Sequence, residues 1–172
     1  LRHLLSSSDT KVREKTCDII FCVTKGNKEQ TRAAIEAGIV PALIQFVADP
    51  NPDIRRNSAS AISNVTEEGE PKEVRGWIPH LFSLLENSNF TEVILTALGI
   101  LRIILQVVPD CDAWGRMLSS SDTYVHILSS SDTKVRGRAC EVIMWITRGN
   151  KQQTRAVIEA GIVPVLIKLL VD

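Results

Sequence analysis

Apolar residues recur at helical spacing along most of the chain. Between Thr10 and Thr24 the apolar and small residues fall 0, 4, 7, 8 and 11 positions apart, which places them on one side of a helix and predicts a buried stripe made of Val12, Thr16, Ile19, Ile20 and Val23. No segment alternates apolar and polar residues beside hairpin turn residues. The pattern predicts an all-α fold.

The chain also contains a long internal repeat. Residues 5–49 match residues 128–172 at 29 of 45 positions, with an offset of 123 residues. That offset accommodates three repeat units of helical-repeat length, so we expect a single solenoid domain over residues 1–172. We expect four units with incomplete ends: 1–49, 50–86, 87–128 and 129–172. The third unit is degenerate, and we expect the extra copy of LSSSDT at 118–123 to replace a helix.

Glycine, asparagine and proline predict three helices in each unit. The Gly26-Asn27 pair is typical of one helix ending near Lys25 and the next beginning near Lys28. Gly38 then ends that helix, and Pro41 suits the first turn of another. The same residues return at Gly149-Asn150, Gly161 and Pro164.

Composition and motifs exclude several classes of function. The chain has 20 Lys and Arg against 20 Asp and Glu, so a strongly basic nucleic-acid-binding protein is excluded. No apolar run is long enough to span a membrane, and we expect a soluble protein without a membrane partner. The four cysteines form no CxxC pair and no zinc-finger spacing, which predicts no metal site and a reducing compartment. No phosphate-binding loop or catalytic motif is present, so we expect neither a cofactor nor an enzyme.

Two sequence segments resemble the armadillo repeat, and more narrowly its importin-α form. They are Gly26-Asn27-Lys28-Glu29-Gln30 and the run AIEAGIVPALI at 34–44, which match the importin-α patterns G-N-x-x-Q and V-I-x-A-G-x-I-P-x-L-V. The resemblance implies a right-handed solenoid whose third helices line a concave groove. It implies binding of an extended basic peptide, the nuclear localisation signal, through a ladder of Trp and Asn, and residence in both cytoplasm and nucleus.

Helical spacing identifies the groove positions on the side of each third helix opposite the core. They lie at offsets of 0, 4, 7 and 11 residues from the first groove position of that helix. In the four units they are Lys11, Lys15, Asp18 and Cys22; Asp53, Asn57, Ser60 and Asn64; Glu92, Thr96, Gly99 and Ile103; and Lys134, Arg138, Glu141 and Trp145. By resemblance, the Trp positions of the ladder map to Asp18, Ser60, Gly99 and Glu141, and the Asn positions to Cys22, Asn64, Ile103 and Trp145. Only Asn64 keeps the importin-α residue.

These positions predict a peptide-binding surface that contains Asn64, Trp145, Ser60, Asp18, Glu141, Asn57 and Cys22. Asn64 is expected to clamp a peptide backbone. Trp145 either reaches the groove or packs against a neighbouring repeat, and the acids Asp18 and Glu141 either meet a ligand lysine or stay solvated.

The sequence leaves two functions open. The first is an importin-α-like adaptor that carries a nuclear localisation signal during nuclear import. The second is a general armadillo scaffold that binds a folded protein or a non-basic peptide. The chain contains no Arg-rich segment for binding importin-β and no signal peptide. Its first and last units are incomplete, so we expect their apolar edges to cause self-association.

Overall fold

A computed structural model describes residues 4, 6–88, 90–109, 114, 118 and 122–171, and all statements below concern these residues. They form helices and no strand. The helices are α1 (Thr10–Thr24), α2 (Lys28–Glu36), α3 (Val40–Phe46), α4 (Pro52–Glu68), α5 (Pro71–Asn87), α6 (Thr91–Val107), α7 (Thr123–Leu128), α8 (Thr133–Thr147), α9 (Lys151–Glu159) and α10 (Ile162–Leu169). The predicted all-α class is therefore confirmed.

The chain divides into two compact units, residues 1–84 and 85–172. In the first, α4 packs against α1, α2 and α3, and α1 also packs against α2. The core of this unit includes the fully buried side chains of Leu43, Ile54 and Ile62.

In the second unit α8 is the central helix. It packs against α6, α7 and α9, and α10 packs against α7 and α9. Leu98, Leu101 and Ile104 of α6 are buried together with Val142 and Ile146 of α8. Burial of such apolar side chains is the main favourable contribution to the stability of each unit.

The predicted helix boundaries of the repeated segments are confirmed, and their cause is a pair of capping boxes. Asn27 accepts a hydrogen bond from the Gln30 backbone N–H, and the Gln30 side chain accepts one from the Asn27 backbone N–H. Asn150 and Gln153 repeat both bonds in α9. Gly26 precedes this box because a Cβ there would collide with Gln30 Oε1.

Each of the two repeated segments contains the predicted three helices, but the predicted repeat over residues 50–86 differs. There a single helix, α5, replaces the expected pair, and Pro79 lies inside it. The sequence between Gly69 and Pro79 is shorter than the stretch between Gly26 and Pro41. Gly76 stands three residues before Pro79 as Gly38 stands before Pro41, but only Gly38 adopts a left-handed conformation, with a φ of 65°, and ends its helix. Without that left-handed residue the helix continues.

Part of the predicted buried stripe of α1 is wrong. Thr16 and Ile20 are buried, but Ile19 and Val23 are exposed, and Cys17 is buried instead. The stripe is apolar as the periodicity required, yet no described helix covers its Ile19 and Val23 side. The prediction about residues 118–123 falls mostly outside the described residues, although α7 begins at Thr123.

Candidate functional site

The sixteen predicted groove positions all lie on the outer sides of their helices. Those of α1 and α4 belong to the first unit, and those of α6 and α8 to the second. Each of the sixteen residues is exposed or half-buried, and none belongs to the core. The helical spacing therefore separates the outer face from the core correctly, while the binding role of these residues stays a prediction.

In the first unit, side-chain contacts join the outer positions of neighbouring helices. The Asn57 amide Nδ2 on α4 donates to Asp18 Oδ1 on α1 at 2.7 Å. Lys15 Nζ contacts the other carboxylate oxygen of Asp18, Oδ2, at 3.0 Å. We call the surface formed by Asp18, Cys22, Asn57, Ser60 and Asn64 the α1/α4 face.

The charge on Asp18 is thus satisfied within the protein. Both of its carboxylate oxygens accept hydrogen bonds, and the bond to Asp18 raises the pKa of the fully solvated Lys15 ammonium above its usual value. The pair is screened by water, so it adds little to stability. The pair matters more for ligand binding than for stability, because a ligand lysine would meet a carboxylate that already has two hydrogen-bond donors.

Asn64 is held less firmly than Asp18 and Asn57 on this face. Its Nδ2 donates to Thr24 Oγ1 at 3.4 Å, near the outer limit for a hydrogen bond, while Thr24 Oγ1 donates to the Phe21 carbonyl at 3.1 Å. The Asn64 side chain is half-buried. A ligand amide could replace the long contact to Thr24 at small cost, because that bond is weak.

The outer side of α8 has its own paired charges. Arg138 Nη1 contacts Glu141 Oε2 at 2.8 Å, which repeats the i, i+3 arrangement of Lys15 and Asp18. The guanidinium of Arg148 lies 5.3 Å from the centre of the Trp145 ring, a cation–π contact. Half-buried Trp145 therefore already holds a cation of its own chain.

Two residues at these sites were missed by the sequence analysis. Thr24 was counted only as the end of α1, yet it is buried and contacts Asn64. Arg148 follows Trp145 by three positions, a spacing that brings side chains together on a helix and could have indicated the contact.

Cys17 and Cys140 lie in surroundings that disfavour the reactive thiolate. Cys17 Sγ lies 3.6 Å from Ser58 Oγ, and burial raises the pKa of the Cys17 thiol. Burial likewise raises the pKa of Cys140. Within the described ranges, no group of three or more His, Cys, Asp or Glu side chains could hold a metal ion. None of the described helices is both long and apolar enough to cross a bilayer.

Comparison with known proteins explains this arrangement of helices. The Armadillo/beta-catenin-like repeat family matches residues 27–67, which cover α2, α3 and most of α4. A designed armadillo repeat protein, solved in complex with the peptide (KR)4, aligns with 97% of this chain and 71% of its own at a TM-score of 0.72 and 25% identity. The chain has the armadillo-repeat fold. Computationally designed armadillo repeat proteins for modular peptide recognition align equally well, at a TM-score of 0.71 and 25% identity over 99% of this chain and 73% of theirs.

The armadillo chain is also similar in sequence to importin-α subunits. It is 27% identical over 164 residues to importin subunit alpha-2 of Arabidopsis thaliana, which covers 86% of this chain and 28% of that protein. It is 22% identical over 192 residues to probable importin subunit alpha-A of Dictyostelium discoideum, which covers 99% of this chain and 34% of that protein. The chain thus spans about a third or less of the length of these relatives.

Proposed function

We propose that this armadillo chain is a non-enzymatic adaptor that binds an extended peptide on the α1/α4 face, with Asn64 as the backbone clamp. The observation that carries the proposal is the position of Asn64, which is half-buried, on the outer side of α4, and held only by a 3.4 Å contact to Thr24. A side-chain amide can donate to a peptide carbonyl and accept from a peptide N–H at once.

The similarity to importin-α subunits extends the proposal to the ligand and the process. The peptide would be a basic, nuclear-localisation-type segment, and the chain would act in nuclear protein import, moving between cytoplasm and nucleus. The designed armadillo protein solved with (KR)4 supports a basic peptide as the first probe. The outer side of α8, with Glu141 and Trp145, is a separate candidate peptide-binding surface in the second unit.

Fluorescence anisotropy with labelled (KR)4 tests the proposal. We expect saturable binding that weakens about tenfold in Asn64→Ala, since removing one side-chain partner of a peptide backbone costs roughly 1–2 kcal/mol. Gln152→Ala, an exposed amide of α9 in the second unit, is the matched control and should bind as the unmodified chain does. Equal affinity of the Asn64→Ala variant, with an unchanged circular dichroism spectrum, would contradict the clamp.

A second candidate function rests on the ion pairs that Asp18 and Glu141 already form. Asp18 and Glu141 are already paired with Lys15 and Arg138, and the Trp positions of the importin-α ladder are Asp18, Ser60, Gly99 and Glu141 in this chain. These features favour a general scaffold that binds a folded protein or a non-basic peptide. Salt separates the two functions: affinity for a basic peptide falls steeply between low and high ionic strength, whereas apolar scaffold contacts do not weaken.

A further inference from the structure

The outer sides of α6 and α8 form a two-helix surface in the second unit. These two helices pack against each other as α1 and α4 do in the first unit. We call the surface formed by Gly99, Ile103, Arg138, Trp145 and Arg148 the α6/α8 face. The first four of these residues are half-buried and Arg148 is exposed. The corresponding positions of α4 are also half-buried or exposed, so this exposure belongs to the outer side of a third helix.

The α6/α8 face lacks the carboxylate that the first unit has at the same place. In the repeat, Gly99 corresponds to Asp18 and Arg138 corresponds to Asn57. Asn57 donates to Asp18 at 2.7 Å, but Gly99 has no side chain that could accept from Arg138. A Cβ added to Gly99 would meet no atom within 4 Å in the part of the chain that the structure describes. The register therefore leaves open space on α6 opposite a guanidinium.

Neither backbone conformation nor packing among the described residues requires a glycine at position 99. Gly99 lies inside α6, and the described glycines with a positive φ are Gly38 and Gly161. A glycine inside a helix lowers the stability of that helix, and its advantage is that another group can approach the backbone closely. Gly99 is thus suited to admit the side chain of a ligand.

Cations outnumber acids on the α6/α8 face and immediately beside it. The four cations are Arg102, Lys134, Arg138 and Arg148, and the two acids are Glu92 and Glu141. Glu141 is already paired with Arg138 at 2.8 Å. Lys134 and Arg148 have no ion-pair partner among the described residues. The excess of positive charge attracts a ligand with negative charge.

Trp145 holds the guanidinium of Arg148 in place. The guanidinium lies 5.3 Å from the centre of the indole ring. A guanidinium stacked on a ring keeps its N–H groups free in its own plane, and two parallel N–H groups match the oxygens of a carboxylate. Arg148 is therefore oriented to bind a carboxylate.

We propose that the α6/α8 face binds an acidic peptide segment. One ligand carboxylate enters beside Gly99 and accepts from Arg138, and a second one accepts from Arg148 next to Trp145. Arg138 and Arg148 are ten residues apart. That separation is about 15 Å along a helix, which an extended segment of about five residues spans.

This inference goes beyond the function proposed above. The ligand is opposite in charge to the basic peptide of the α1/α4 face, and the two surfaces belong to different units. Binding at one surface therefore does not require binding at the other.

Fluorescence anisotropy with a labelled acidic peptide, (ED)4, tests the proposal. Gly99→Leu fills the open space on α6 without changing the charge, and Arg148→Gln removes one exposed cation. Lys151→Gln, at an exposed lysine of α9 in the same unit, removes the same charge away from this face and is the matched control. Circular dichroism checks that each variant is folded.

We expect saturable binding of (ED)4 that weakens about tenfold in Gly99→Leu, because the ligand loses a charge-assisted hydrogen bond to Arg138. Arg148→Gln should weaken binding about fivefold, the upper range for a solvated ion pair. Lys151→Gln should bind as the unmodified chain does. Affinity for (KR)4 should be the same in the unmodified chain and the three variants.

No binding of (ED)4 at low salt, or unchanged affinity in Arg148→Gln or in folded Gly99→Leu, would overturn the proposal. An equal loss in Lys151→Gln and Arg148→Gln would indicate unspecific attraction to positive charge and would also overturn it. Tighter binding of an eight-nucleotide oligothymidylate than of (ED)4 would indicate a nucleic-acid surface and would have the same consequence. Failure of (KR)4 alone to bind would contradict only the proposal for the α1/α4 face.

Discussion

At the residue scale, the acidic side chains on the outer sides of α1 and α8 already have cationic partners within their own unit. Asp18 receives hydrogen bonds from both Asn57 and Lys15, and Glu141 is paired with Arg138. A basic ligand therefore competes with the protein's own cations for these carboxylates. Asn64 has a single long contact, to Thr24, so a ligand does not compete there with a cation of the protein.

Removing Lys15 should expose this competition. In Lys15→Ala, Asp18 keeps only Asn57 as partner, and we expect (KR)4 to bind about two to five times more tightly, the range of a solvated ion pair. The gain should shrink as salt rises. Anisotropy titrations at two ionic strengths measure it, with Lys28→Ala, an exposed lysine of α2, as the control. Unchanged or weaker binding by Lys15→Ala would show that the peptide does not pass Asp18.

Two glycines of the second unit should respond to alanine with opposite signs. A Cβ on Gly149 would collide with Gln153 Oε1 and lie 2.7 Å from the Pro109 carbonyl oxygen, and Gln153 is held there because its Nε2 donates to that same carbonyl at 2.7 Å. We expect Gly149→Ala to lower the free energy of unfolding by roughly 1–3 kcal/mol.

Gly137 in α8 has open space around its Cβ direction, so Gly137→Ala should raise the free energy of unfolding by about 0.5–1 kcal/mol. Urea denaturation followed by circular dichroism measures both variants. Equal effects of the two substitutions would contradict the packing around Gly149.

At the element scale, the sequence predicted helices where local signals were complete. Asn27 and Asn150 with their glutamines set the starts of α2 and α9, and a left-handed glycine ends α2. The prediction of three helices per repeat failed after Gly69 because Gly76, the counterpart of Gly38, does not adopt the left-handed conformation. A proline is tolerated in a first turn but does not by itself end a helix when no left-handed residue precedes it.

Pro79 should therefore weaken α5, since it provides no N–H for the Arg75 carbonyl. We expect Pro79→Ala to raise the free energy of unfolding by roughly 2 kcal/mol, the helix-interior cost of proline less the entropy that the unfolded chain regains. Pro41→Ala is the matched control in the first turn of α3, where the missing N–H has no helical partner, and it should be neutral or slightly destabilising. Urea midpoints decide between these outcomes. A loss of stability in Pro79→Ala would contradict the continuous helix.

At the scale of the whole molecule, periodicity predicts which apolar residues share one side of a helix but not which neighbouring helices cover them. Ile19 and Val23 were assigned to the core because they share a stripe with Thr16 and Ile20, yet burial depends on a helix that packs over them. The same limit applies to the candidate site. Register predicted that Asp18, Asn57 and Asn64 lie on outer faces, but their partners come from contacts between helices that are far apart in sequence.

In the proposed complex, an extended peptide lies across α1 and α4 and contacts Asn64. Nuclear magnetic resonance of the nitrogen-15-labelled chain titrated with (KR)4 tests it most directly, with the Asn64 side-chain signals assigned by their absence in Asn64→Ala. We predict that the side-chain amides of Asn57 and Asn64 and the backbone amides around Cys22 and Ser60 shift together, while those of α2 stay in place. Shifts confined to other surfaces, or no shifts at saturating peptide, would contradict the account.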